Sequence, residues 1–136
     1  MNTAIRTQTV TATSTTASTL GRGFAAAGVL LSADVHLVLY LDGFSHINVV
    51  GPAFLLNAIG GIVIGVALLV WRHWLPLLAA IAFGISTLAA FYISATVGLF
   101  GVHESFTGAQ VVLAEIAEWV AIAGAVTALL AERRRS

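Results

Sequence analysis

Residues that could do chemistry interrupt two of the apolar stretches of this sequence. Asp34 and His36 lie in one stretch, and Glu115 and Glu118 lie in another. Carboxylates and imidazoles can bind metal ions or carry protons. An ionisable group inside lipid costs ~2.5–3.5 kcal/mol at mid-helix on insertion scales. These residues therefore need partners, water or protonation, which makes them the first candidates for a functional site.

Helical spacing decides which of these side chains can meet. Glu115 and Glu118 are separated by one helical turn, as are His36 and Tyr40, so each pair shares a helix face. Asp34 and His36 are separated by about 200° around a helix, so they cannot both point into one narrow site. The sequence leaves open which of the two faces the interior.

Four of these residues have side chains suited to a transition-metal site. His36 and His103 would supply nitrogen, and Glu115 and Glu118 would supply oxygen, a donor set that fits Zn, Cu or Fe. A haem between the two histidines is disfavoured, because their depths would differ by most of a leaflet. The simpler interpretation is structural, with His36 hydrogen-bonded to a glutamate across the bundle. A wider polar layer would support the site: Asp34, Tyr40, Asn57, Tyr92 and Glu104.

The elements that position these residues are four apolar segments. The chain is 59% hydrophobic and 9% charged, whereas soluble domains carry about 25% charged residues. A span of a ~30 Å hydrocarbon core needs ~20 residues. The sequence therefore predicts an all-α, four-helix transmembrane bundle, up-down-up-down. Its helices are expected at about 23–41, 52–70, 75–100 and 108–131.

The remaining residues form the predicted ends of the chain. Residues 1–20 are rich in Thr and Ser and have no acidic residue, which predicts a disordered cytoplasmic tail. Residues 21–132 would be the transmembrane domain, and residues 133–136 a basic cytoplasmic end. All the arginines fall on one side of a four-span arrangement, which predicts that both termini are cytoplasmic. They are Arg6, Arg22, Arg72, Arg133, Arg134 and Arg135.

Depth along the helices places the polar residues in the outer half of the bilayer. At ~1.5 Å per residue, His36 lies ~9 Å below the outer boundary and Asn57 ~8 Å. Glu115 is ~10 Å down and Glu118 ~15 Å. The inner half has almost no polar residue, so the outer layer is the most informative feature of the sequence.

Several classes of chemistry lack support in the sequence. There is no cysteine, so thiolate metal ligands and disulfides are excluded. We find no phosphate-binding glycine loop, no H-E-x-x-H and no G-x-S-x-G motif. The net charge is zero, which gives no electrostatic basis for nucleic-acid binding. An enzyme acting on lipid, with the glutamates as general base, ranks last because no nucleophile is evident.

Four stretches of the chain carry a resemblance to a known group: His36-Leu-Val-Leu-Tyr40, Gly51-Pro-Ala-Phe-Leu-Leu-Asn57-Ala, residues 71–76, and Gly98-Leu-Phe-Gly-Val-His103-Glu104. In these stretches the chain resembles the small four-span membrane proteins found in many actinobacterial genomes, a group to which no activity is assigned. The resemblance implies a bacterial plasma membrane and adds nothing about the site.

Two functions remain open from the sequence. In the first, the outer polar cluster binds a transition metal or a proton for uptake, sensing or delivery, and the small chain acts in the lipid bilayer as a homo-oligomer. In the second, the chain is an accessory or scaffold subunit of a larger membrane complex. Asn57, Gly61 and Gly65 form a small and polar stripe on helix 2, which predicts a helix-packing face. In the second function this face would meet a partner.

Overall fold

The computed structural model describes residues 2–103 and 106–134, with side chains described from Thr13 onward, and it is an all-α bundle of four long helices. A single turn of 3-10 helix, Phe44–His46, follows the first helix. Within the described residues the extended structure is limited to an isolated bridge between Leu99 and Val102. The long helices are α1 (Asn2–Leu41), α2 (Val50–Val70), α3 (Leu75–Thr96) and α4 (Ala109–Arg133).

All four helices are long and apolar enough to cross a membrane. The candidate spans have 29, 21, 22 and 25 residues, the first of them covering Thr13–Leu41 of α1. Even 21 residues of helix reach ~32 Å, which matches a ~30 Å hydrocarbon core. Large apolar side chains cover the outside of the bundle, as lipid contact requires. The predicted all-α bundle of four membrane-spanning helices is therefore confirmed, and the chain is a multi-pass membrane protein.

The first helix begins earlier than the sequence predicts. Residues 1–20 were expected to be a disordered tail, but α1 is helical from Asn2. The hydroxyl of Ser14 donates to the Ala131 carbonyl oxygen at 2.9 Å, and Ser18 donates to a Glu132 carboxylate oxygen at 2.7 Å. Through these long-range hydrogen bonds, the part of the Ser/Thr-rich segment around Ser14 and Ser18 contacts α4 despite its low hydrophobicity.

The third helix ends earlier than predicted, at Thr96 instead of Phe100. Gly98 has a φ of 84°, a left-handed conformation that commonly closes a helix at a glycine. Its amide donates to the Ile93 carbonyl oxygen at 3.1 Å, which satisfies a carbonyl of the last turn. The chain then turns through Leu99 and Val102 before α4 begins.

Helix α1 packs closely against α4 through small residues. A Cβ atom on Gly28 would lie 2.5 Å from the Ala117 carbonyl oxygen, and one on Gly21 would lie 2.7 Å from the Gly124 carbonyl oxygen. Such close backbone approach is typical of small residues between transmembrane helices. Residue numbers rise along α1 as they fall along α4 in these contacts, so the two helices are antiparallel neighbours.

The predicted packing face of α2 lies against α1. A Cβ atom on Gly61 would lie 2.9 Å from the Val29 carbonyl oxygen, and one on Gly65 would lie 2.6 Å from the Leu30 side chain. The packing role of the two glycines is thus confirmed. Their face is covered within the chain, so it cannot serve as the docking surface for another protein that the second function assigned to it.

The two ends of the bundle differ in how tightly they pack. We call the end with the α2–α3 connection, residues 71–74, the link end, and the end with residues 42–49 and 97–108 the loop end. The hydrophobic core lies toward the link end, whereas a cavity opens toward the loop end. The core side chains are short or medium in size: Ala25, Ala26, Val29, Leu68, Leu77, Ala80, Ala121, Ala125 and Ala128.

Candidate functional site

A cavity of about 450 Å³ lies among the four helices in the loop-end half of the bundle. This volume is within the ~300–1,000 Å³ of typical small-ligand sites. Its wall is mainly apolar, with aromatic rings such as Phe54 and Phe91. A few polar side chains enter that wall, which is the usual composition of a site that binds a small molecule. Four of them come from the predicted set: His36, Asn57, Glu115 and Glu118.

Ser32 connects His36 to Glu118 at one side of this cavity. The Ser32 hydroxyl donates to Oε1 of Glu118 at 3.2 Å, and Nδ1 of His36 lies 2.8 Å from the Ser32 carbonyl oxygen. Because a carbonyl oxygen only accepts, Nδ1 carries a hydrogen, and the neutral ring then presents Nε2 as an acceptor. The predicted contact between His36 and a glutamate is therefore indirect and passes through a serine.

The side chains of this group are buried. Glu118 is 2% exposed and His36 is 8% exposed. The ring of His36 also packs edge-on against Phe54, with 5.2 Å between ring centroids. Ser32 was not among the site residues predicted from the sequence. Its position one turn before His36, on the same helix face, was the feature that could have indicated it, because a hydroxyl there can hydrogen-bond to a buried polar neighbour.

Two buried oxygen atoms in the same cavity wall have no hydrogen-bond partner among the described residues. They are Oδ1 of Asn57 and Oε1 of Glu115. The amide nitrogen of Asn57 donates to Thr87 Oγ1 at 3.0 Å, and Thr87 in turn donates to the Phe83 carbonyl oxygen at 2.8 Å. These two hydrogen bonds fix the orientation of the Asn57 amide group and leave its oxygen atom without a hydrogen-bond donor among the residues that the structure describes. Unpaired buried acceptors cost about 1–3 kcal/mol each, so the cavity is suited to a ligand that donates hydrogen bonds.

The other predicted residues lie outside this wall. Asp34 is exposed on the outer surface of α1, which answers the question of whether it or His36 faces the interior. Tyr92 lies beside Glu115 but is 42% exposed. Tyr40 is half-buried near the end of α1 and does not line the cavity. Glu104 lies outside the described residues.

His103 is separated from the other proposed metal ligands. Its imidazole packs on Gly98, where a Cβ atom would lie 2.5 Å from Nε2, and it does not line the cavity. Within the described part of the chain, no group of three or more His, Asp or Glu side chains is placed to hold a metal ion. A site made of His36, His103, Glu115 and Glu118 stays a prediction without support from this geometry.

A second polar cluster ties three elements together at the link end. Arg22 of α1 is 3% exposed. Its Nε donates to Oε1 of Glu132 at 2.7 Å and its Nη2 to Oε2 at 3.0 Å, a bidentate ion pair. The same guanidinium donates to the carbonyl oxygens of Trp71 and His73 at 3.2 and 2.7 Å. In the sequence, Arg22 served only as a marker of orientation, because nothing in its spacing indicates these partners.

Comparison of the chain with protein-family models, with curated proteins and with solved structures found no match. The geometry of the two polar clusters is therefore the basis on which a function is inferred.

Proposed function

We propose that this protein is a small, multi-pass protein of a bacterial plasma membrane, with up-down-up-down helices and both termini in the cytoplasm. The positive-inside rule supports this orientation, because Arg22, Arg72, Arg133 and Arg134 all belong to the link end or its flanks. The loop end is then the outer end, and the cavity opens in the outer half of the bilayer.

The protein's function, in our proposal, is to bind an organic cation in this cavity, for uptake or sensing. The observation that carries the proposal is the pair of buried, unpartnered oxygen atoms, Asn57 Oδ1 and Glu115 Oε1. Both accept hydrogen bonds, and Glu118 brings a second carboxyl group into the same cavity. A ligand that satisfies them must donate hydrogen bonds and is favoured by positive charge.

The size and wall of the cavity favour a protonated amine with an apolar body over a bare ion. A volume of about 450 Å³ is far larger than a metal ion needs, and a metal ion would also need several converging ligands. The rings of Phe54 and Phe91 can contact an apolar body or stack against a cation. A transition metal or a proton remains the alternative cation.

Binding of a simple amine tests the proposal. Hexylamine and the neutral hexanol would be titrated by calorimetry into the purified protein, with empty micelles as the blank. We expect selective binding of hexylamine. Glu115→Gln and Asn57→Leu should each weaken it by roughly tenfold or more, the size expected for losing a hydrogen bond to a charged group.

The matched control removes a carboxylate outside the cavity. Asp34→Asn changes the same charge on the exposed surface of α1 and should leave hexylamine binding unchanged. Equal binding of hexylamine and hexanol, or unchanged binding in Glu115→Gln, would overturn the amine proposal. Elemental analysis of the purified protein tests the metal alternative. Stoichiometric Zn, Cu or Fe in the unsubstituted protein, and its absence from His36→Ala, would show that the bound cation is a metal and not an amine.

Asp34 supports a second candidate, an accessory subunit of a larger membrane complex. This carboxyl group lies on an exposed, otherwise apolar stripe of α1 that includes Leu31 and Val38. Because a lipid-facing carboxylate is costly, a neighbouring helix would stabilise it. Dicyclohexylcarbodiimide, a lipid-soluble carboxyl reagent, should modify Asp34 in purified protein and not in native membranes. Equal modification in both preparations would show that no partner covers this face.

A further inference from the structure

A second cavity, of about 510 Å³, lies at the link end, on the side of the bundle remote from the outer cavity. The α2–α3 connection contributes Arg72, His73 and Trp74 to its wall. Helix α4 contributes Arg133 and Glu132 from its last turn. The cavity therefore lies between the α2–α3 connection and the last turn of α4, at the end of the membrane-spanning helices.

The charges around this cavity leave an excess of positive charge. Glu132 is the carboxylate in its wall, and both of its oxygen atoms accept from Arg22, which neutralises it. The charged side chains are those of Arg22, Arg72, Arg133 and Glu132. With histidine neutral, their formal charges sum to +2. Arg72 and Arg133 line the cavity, and both are exposed. An anionic ligand would find complementary charge here.

The other side of the cavity is apolar and faces the membrane. Leu78 of α3 and Leu129 of α4 complete its wall, and Leu78 is 42% exposed on the helix surface. Trp74 is 50% exposed at the boundary, a position that tryptophan favours at the level of lipid headgroups. A ligand held here would have an anionic part against the arginines and an apolar part along α3 and α4.

We propose that the link-end cavity binds the phosphodiester headgroup of an anionic phospholipid. Guanidinium groups match phosphate oxygens in shape and charge, and basic pockets between transmembrane helices are known to bind anionic headgroups. The adjoining apolar strip of Leu78 and Leu129 gives an acyl chain a surface to follow. Free phosphate would satisfy the arginines but would leave that strip unused. The proposal does not depend on what the outer cavity binds.

Quenching of tryptophan fluorescence by brominated lipids tests this site. The full chain with Trp119→Phe keeps Trp71 and Trp74, which belong to the link end, as reporters. It would be placed in vesicles that contain equal amounts of phosphatidylglycerol and phosphatidylcholine, with one or the other brominated. We expect brominated phosphatidylglycerol to occupy the site with roughly tenfold preference, the order expected for two guanidinium groups near a lipid phosphate.

Two double variants separate a bound lipid from general attraction to a charged surface. In the Trp119→Phe chain, Arg72→Gln with Arg133→Gln should abolish the preference, while the Arg22–Glu132 pair remains to hold the fold. Arg134→Gln with Arg135→Gln removes the same amount of charge from the end of the chain, where Arg134 does not line the cavity, and should keep the preference. Circular dichroism would check that both double variants stay helical.

An equal loss in both double variants would overturn the proposal and assign the effect to diffuse electrostatics. In a second experiment, the same quenching would be measured in 10 mM inorganic phosphate and in chloride at equal ionic strength. We expect phosphate to have no effect on the lipid preference. Loss of the preference in phosphate alone would also overturn the proposal, because the cavity would then take free phosphate.

Discussion

At the scale of single residues, the properties of the loop-end cavity depend on which polar atoms donate hydrogen bonds and which accept them. Ser32 uses its carbonyl oxygen for His36 and its hydroxyl for Glu118, so one small residue orients two functional side chains. Asn57 is fixed through its nitrogen by Thr87 and keeps its oxygen unpaired. The polar groups left over are thus acceptors, which is why we expect a donating ligand.

Replacing Ser32 by alanine should destabilise the protein by about 1–3 kcal/mol, because the buried Glu118 carboxyl group loses its donor. The free energy of unfolding can be measured by denaturation in mixed micelles. Thr127→Ala is the matched control, since the Thr127 hydroxyl is exposed and donates only within its own helix, to Ala123. A Ser32→Ala cost no larger than that of Thr127→Ala would show that the Ser32–Glu118 contact does not stabilise the fold.

At the scale of helices, close approach of α1 and α4 decides where the cavity can be. Gly21, Gly28 and Gly124 let these backbones touch toward the link end and the middle of the bundle. Alanine core residues keep that half dense. Larger and polar side chains fill the loop-end half less completely, and the cavity is the space that remains.

Two glycines of α1 should respond to alanine with opposite signs. A Cβ atom on Gly28 would lie 2.5 Å from the Ala117 carbonyl oxygen, whereas one on Gly23 would meet nothing within 4 Å. Gly28→Ala should therefore cost about 1–3 kcal/mol of stability through overpacking. Gly23→Ala should gain up to about 1 kcal/mol, since alanine favours the helix. Unfolding of both variants in the same micelles checks this, and a stabilising Gly28→Ala would refute the close approach.

At the scale of the whole molecule, the proposed orientation gives the two cavities different surroundings. The amine cavity would open toward the outside, and the lipid cavity would meet the cytoplasmic leaflet. The bidentate pair of Arg22 and Glu132, together with the bonds from Arg22 to Trp71 and His73, holds the link end as one unit.

The orientation of the protein in the membrane can be measured by introducing single cysteines, because the natural sequence contains no cysteine. Asn48→Cys is at an exposed position of the loop end, and Arg134→Cys is at an exposed position of the link end. In intact cells, a maleimide that cannot cross membranes should label Asn48→Cys and leave Arg134→Cys unlabelled until the membrane is permeabilised. The reverse pattern would place the termini outside and exchange the surroundings of the two cavities.

The sequence by itself determined the fold class and the number of helices. Lipid offers no hydrogen bonds, so a membrane-spanning segment must be a helix or a strand of a closed barrel. Four apolar runs of sufficient length that do not alternate as barrel strands would are therefore helices. The same chemistry identified Glu115, Glu118, His36 and Asn57, because polar groups in apolar runs are conspicuous. Spacing within a helix also indicated that Asp34 and His36 face different sides.

Only the tertiary structure decided which of these residues share a cavity and which partners they have. Contacts between helices depend on rotation and depth, which residue spacing along separate segments does not fix. The sequence therefore did not indicate that His103 packs on Gly98 or that Arg22 binds Glu132 and the α2–α3 connection. For Ser32 it gave only the position one turn before His36, and not the contact with Glu118. Ser14 and Ser18 of α1 likewise find their partners on α4, more than a hundred positions away.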